Sequence, residues 1–188
     1  MQNMFARLLN IFKNPREYFA DPEVSILDGA LVIFLLFVFT FIQKLVWVDP
    51  TNAAILPLEA LRQAAVNSLL VWSLFCVVFY ALDEIFHTGV KFLHLAGMVG
   101  SAGAPLVVTT LLSALMCGIA VLFNLKPVIS QWTLVQEILG WLGLALSWPG
   151  LFGFFLMRDG LKLPKLWAFI LTGLALAFFI AGEVIPLF

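Results

Sequence analysis

The stretch His94–Gly118, HLAGMVGSAGAPLVVTTLLSALMCG, decides how this chain is read. After the histidine it carries no charge, so it reads as a membrane-embedded segment. Yet its first half is small: Ala96, Gly97, Gly100, Ser101, Ala102, Gly103 and Ala104, followed by Pro105. Glycine weakens helices and proline breaks or kinks them. The uncharged run continues to Leu125, 31 residues from Leu95. A single upright span takes roughly 20 residues, so the run is too long for one helix and too short for two. Ala96, Gly100 and Ala104 recur every four residues, as do Gly97 and Ser101. Such a stripe of small residues lets two helix backbones approach closely. A kink at Pro105 accommodates the excess length, with the hydroxyls of Thr109 and Thr110 one turn on to serve the carbonyl that proline frees.

The rest of the chain fits this setting. Its 188 residues are 63% hydrophobic and 11% charged, with a mean hydropathy of +1.07. Soluble domains are about half apolar and about a quarter charged. Besides Leu95–Leu125, the nearly charge-free stretches are Gly29–Val48, Ala64–Leu82, Ile138–Met157 and Leu166–Gly182. They are continuously apolar, which excludes the alternation of a barrel strand. The expected fold is all-α, a polytopic transmembrane bundle. Its five spans fall at about 26–48, 64–82, 95–125 (kinked at Pro105), 136–157 and 166–185. Residues 1–23 precede this 24–188 domain as a separate membrane-surface segment. A net charge of −1 gives nucleic acid no basic face. Cys76 and Cys117 fall inside spans and read as small buried hydrophobes. No cleavable signal sequence is visible.

Lysine and arginine set the orientation. Arg7, Lys13, Arg16, Lys91, Arg158, Lys162 and Lys165 lie on one side; Lys44, Arg62 and Lys126 lie on the other. This bias puts the N-terminus in the cytoplasm and, with five spans, the C-terminus outside, as in a bacterial inner membrane. The N-terminal segment is amphipathic. Met4, Phe5, Leu8, Ile11 and Phe12 share one helical face, opposite Asn3, Arg7, Asn10 and Asn14. A helix of this kind lies in the interface, its apolar face in lipid and its cations, here Arg7, Lys13 and Arg16, among headgroups. Asn14-Pro15 then ends it and starts a second short helix.

Polar residues inside or beside the spans are the candidate functional groups. Asn67, Ser68 and Ser73 in span 2 are placed to bond neighbouring helices. That span ends in YALDEIFHTGVKFLHLAG (Tyr80–Gly97), the densest polar cluster in the chain. On a helix, Asp83 and Glu84 both reach His87, and His94 follows seven residues later. Three readings stay open: a solvated helix end, a proton- or ion-coupled site, and a metal site of Asp83, Glu84, His87 and His94. Carboxylate-bridged metal bundles need a second Glu-x-x-His, which a second copy would have to supply. Span 4 breaks at Trp148-Pro149-Gly150, and Gly173, Ala177 and Ala181 form a further packing stripe in span 5. Two broken spans can mark a transporter's midplane site, but no inverted repeat is evident. G-x-S-x-G, H-E-x-x-H and P-loop motifs are absent.

LLNIFKNPREYF (Leu8–Phe19) followed by five spans resembles the N-terminus of prokaryotic members of the YIP family of Ypt/Rab-interacting membrane proteins. The strongest match is FHTGVKFLHLAGMVGSAGAPLVVTTLLSAL (Phe86–Leu115). The family's third span opens with a glycine, an aromatic residue and a small-residue run closed by Ala-Pro; here these are Gly89, Phe92, Gly97, Gly100, Ala104 and Pro105. The resemblance implies five spans and a cytosolic N-terminus. It supplies no catalytic residues. The Asp-Leu-Tyr-Gly-Pro element of eukaryotic relatives is missing before span 1, so their traffic role does not transfer.

The expected function is therefore a non-enzymatic integral membrane protein, without cofactor, that shapes or organises the bilayer or scaffolds a membrane complex. Its partners are lipid and either a second copy or another membrane protein. The alternatives are a transporter or channel for ions, small solutes or lipids near the Pro105 and Pro149 breaks, and a metal-dependent membrane enzyme.

Overall fold

A computed structural model of the chain describes residues 4–46, 57–123 and 129–184. Every regular element among them is a helix. In order these are α1 (Met4–Lys13), α2 (Pro15–Ala20), α3 (Ile26–Val46), α4 (Pro57–Ala65), α5 (Val71–Phe86), α6 (Phe92–Ala102), α7 (Ala104–Leu122), α8 (Ile129–Leu146), α9 (Leu151–Phe155) and α10 (Lys165–Val184). A π turn, Val66–Leu70, joins α4 to α5, and a second, Leu156–Gly160, extends α9. Four segments are long and apolar enough to cross a membrane: Ile26–Leu45, Pro57–Phe86, Phe92–Met116 and Glu137–Gly160. The chain is thus a multi-pass integral membrane protein. Large apolar side chains such as Leu74, Val77, Leu115 and Phe169 point outward, as lipid-facing residues do.

Local chemistry sets the ends. Ser25 and Asp28 form a capping box at the start of α3. The Ser25 backbone N–H and hydroxyl both donate to Asp28 Oδ2, at 2.8 and 3.1 Å. The second apolar helix begins at Pro57, a residue suited to a first turn. It starts about two turns ahead of the expected residue 64, and within this added length Glu59 accepts from Arg62 and Gln63.

The break in the third span lies at Gly103, two residues before the expected kink at Pro105. The Gly103 N–H turns back to the Gly100 carbonyl, and Leu106 N–H bonds the Gly103 carbonyl. Pro105 then sits in the first turn of α7, where its missing N–H costs no helical bond and its ring does not meet a preceding turn. Thr109 donates to the Leu106 carbonyl of its own helix, not to the group freed by proline.

The small-residue helix α6 is the centre of the molecule. Every residue from Leu95 to Pro105 is buried. In the most apolar 18-residue stretch of Phe92–Met116 67% of the residues are buried, against 17% in that of Pro57–Phe86. Helix α3 packs along α6 and α7; α5 and the end of α9 close other sides of α6; α8 lies against α7. The N-terminal residues join this core and do not form a part of their own. Ile11, Tyr18 and Phe19 are buried in the same cluster as Leu95, Met98 and Trp148. Helix α2 rests on the Leu156–Gly160 turn and α9, and Phe19 meets Phe152 edge-on at 6.2 Å.

Candidate functional site

The crossing of α3 and α6 is built from glycine. A Cβ on Gly100 would stand 2.6 Å from the Gly29 Cα, and one on Gly29 would stand 2.5 Å from the Gly97 carbonyl oxygen. A Cβ on Gly97 would meet the Ser25 carbonyl. Backbone therefore lies on backbone along three positions, and no side chain fits between them. Ala96, Ser101, Ala104 and Pro105 of the same stripe are buried too. Gly173 has open space around it and Ala177 is exposed, so these two face outward. The side chain of Ala181 lies outside the described residues, as do those of Phe5, Arg7, Leu8 and Cys117.

Polar side chains converge on α6 from its neighbours. Tyr18 and Ser101 share a buried hydroxyl–hydroxyl bond of 2.8 Å. Trp72 Nε1 donates to the Ala96 carbonyl at 3.2 Å, and Trp148 Nε1 donates to the Val99 carbonyl at 2.5 Å. The second of these has a local cause. The Gly103 N–H, which would serve Val99 in a continuous helix, bonds Gly100 instead, and the indole takes its place. In apolar surroundings a carbonyl left without a donor is costly, so the tryptophan completes the break.

The two expected breaks meet at this point. Trp148 lies in the turn between α8 and α9 beside the buried Pro149. Its ring stacks on Phe75 at 5.0 Å, and a Cβ on Gly103 would stand 2.8 Å from it. Gly150 and Gly153 let this turn fold on itself, since a Cβ on either would strike the backbone of Ala145 or Trp148. At the first break the Trp148 indole lies directly against Gly103.

The acidic and histidine residues near the end of α5 are not gathered into one cluster. The helix stops at Phe86; the His87 N–H still bonds the Asp83 carbonyl, but the residue turns left-handed (φ 53°) and is exposed. Asp83 is buried, and its carboxylate accepts from the Thr88 hydroxyl and, at 3.0 Å, from the Val90 N–H, fastening the loop that leads to α6 onto the end of α5. Glu84 is exposed. His94 Nδ1 lies 2.7 Å from the Val24 carbonyl, across the start of α3. No group of three or more His, Cys, Asp or Glu among the described residues is placed to hold a metal.

Ser68 and Ser73 bond the carbonyls of Ala64 and Leu69 on their own helix, not a neighbouring one, and Asn67 is exposed. A further interhelical bond is made by Gln43, whose Nε2 donates to Ser113 at 2.8 Å between α3 and α7. Sequence reading missed it because Gln43 sits beside Lys44 at a span end and reads as interfacial. Arg158 was likewise counted only for orientation. Its guanidinium lies 5.1 and 5.0 Å from the Phe154 and Phe155 ring centres and binds Asp159, which also faces Arg16 at 3.8 Å. Arg16 itself remains largely exposed, as do Phe12 and Lys13.

Among the described residues, buried hydroxyls, indoles and carboxylates hold backbone groups of neighbouring segments together. Comparison with protein-family models, with curated proteins and with solved structures gives no match for this chain.

Proposed function

We propose that the chain is a non-enzymatic, five-span membrane protein, similar to the YIP family, that shapes or organises the bilayer from its cytoplasmic face. The observation that carries this reading is the state of the N-terminal segment. Ile11, Tyr18 and Phe19 fix it to the core, while Leu9 and Phe12 stay 58% and 49% exposed beside the exposed Lys13 and Arg16. Apolar side chains flanked by cations are what an interfacial helix offers to lipid. A helix held rigidly by a bundle wedges into one leaflet without first having to fold on it. Helix α10, apolar over Lys165–Phe178 and 20 residues long as a helix, supplies the fifth span. The lysine and arginine bias supports a cytoplasmic N-terminus and an outer C-terminus. The outward Gly173 and Ala177 support contact with a second copy or another membrane protein.

The test compares the wild type with a Leu9→Ser, Phe12→Ser double variant for liposome tubulation and for preference between small and large vesicles. Loss of both activities, with unchanged helix content, is the expected result; unchanged curvature behaviour refutes the reading. Transport requires open polar space at the breaks, where the structure has the Trp148 ring. Proteoliposomes are accordingly expected to show no flux above that of empty vesicles.

A further inference from the structure

A groove of about 280 Å3 opens between α3 and the helix formed by α4 and α5. It is lined by Ala30, Ile33, Phe34 and Phe37 on one side and by Leu69 and Trp72 on the other. We propose that it is a binding site for one acyl chain of a membrane phospholipid.

Three observations carry this assignment. Both walls belong to segments apolar enough to cross a membrane, so the groove opens into hydrocarbon and not into water. Its lining offers no charged or hydroxyl group, and the one polar atom nearby, Trp72 Nε1, is engaged by the Ala96 carbonyl. The groove therefore suits a chain of methylenes and neither a headgroup nor a solute. Its shape also fits. From Ala30 to Phe37 its lining follows α3 for roughly 10 Å at the helical rise, along which an extended chain can lie. Apolar space left empty forfeits contacts on every wall, and in a bilayer the available filler is a lipid tail.

The groove has a local cause in the sequence. Residues Val66–Leu70 form the π turn, with the Val71 N–H reaching back to the Val66 carbonyl. Ser68, fully buried, bonds the Ala64 carbonyl at 2.7 Å and so stabilises the widened turn. Turns of this kind are frequent at functional sites. Here the turn carries Leu69 on the groove wall, one turn before Trp72. This inference needs only the membrane-embedded fold and is independent of bilayer shaping.

The experiment uses the full-length protein in phosphatidylcholine vesicles containing a phosphatidylcholine with a diazirine midway along one acyl chain. Photolysis is expected to label Phe34, Phe37, Leu69 and Trp72 at least fivefold above Val77 and Leu115, which are exposed on two of the apolar crossing segments. Ala30→Phe, which fills the groove, is expected to reduce that labelling to the level of Val77 and Leu115. Uniform labelling of wild type, or labelling of the groove unaffected by Ala30→Phe, overturns the assignment. Should Ala30→Phe fail to fold, the comparison of the groove with Val77 and Leu115 in wild type decides alone. A free fatty acid bearing the same diazirine serves as the second arm. Groove labelling by the fatty acid with none by the phospholipid also overturns the assignment.

Discussion

Tyr18 and Ser101 lie 83 residues apart, yet their hydroxyls meet inside the core. The bond is buried, so truncating either hydroxyl removes a hydrogen bond from the core. Tyr18→Phe and Ser101→Ala are each expected to cost about 1–2 kcal/mol, and the double variant is expected to cost less than their sum. Thermal unfolding of the four proteins in one detergent checks this; additive losses would mean the two groups do not interact. His87 gives a prediction of the opposite sign. It holds a left-handed conformation that costs a non-glycine residue about 1–2 kcal/mol. His87→Gly is expected to leave stability unchanged or raise it by up to about 1 kcal/mol, and to leave any proton or ion response unaltered. A loss of stability in the same assay would mean that the imidazole makes a contact the exposed loop does not offer.

At the scale of elements, the division between α6 and α7 belongs to Gly103 and Trp148. Pro105→Ala restores a backbone donor but leaves the indole in place against Gly103. Its expected effect is under about 1 kcal/mol, since proline in a first turn carries little penalty. Gly103→Leu drives a side chain into the Trp148 ring and is expected to cost about 1–3 kcal/mol or more, read as the fall in midpoint of detergent-induced or thermal unfolding. Equal effects of the two substitutions would return the break to the proline. Sequence spacing gave the location of this division to within two residues. It gave the small-residue stripe as a packing surface, because four-residue periodicity is visible in any helix. It could not say what lies opposite. The partner of Gly97 and Gly100 is Gly29, which in the sequence is merely the first residue of a Phe- and Leu-rich run. The acid–histidine pairing failed for a related reason. Spacing arguments assume that a helix continues, and α5 ends one residue before His87.

For the whole molecule, the charge count and the apolar stretches made the helical membrane class legible, whereas the docking of residues 4–23 was not. An amphipathic pattern reads alike whether its apolar face meets lipid or protein; here Ile11 meets protein, and Leu9 and Phe12 face out. The number of spans is open to a direct check. Alkaline phosphatase fused after Phe188 is expected to be active, and a fluorescent protein fused there to be dark, if α10 crosses. Four spans would return both ends to one side and reverse both signals. The claim on which the rest depends is that α6 is packed backbone to backbone at the centre, while Gly173 and Ala177 of α10 face outward. Gly100→Leu and Gly173→Leu test it in one measurement, the fraction of protein recovered monodisperse from membranes by gel filtration. A near-complete loss for Gly100→Leu with wild-type recovery for Gly173→Leu is the predicted result. Wild-type recovery of Gly100→Leu would contradict it.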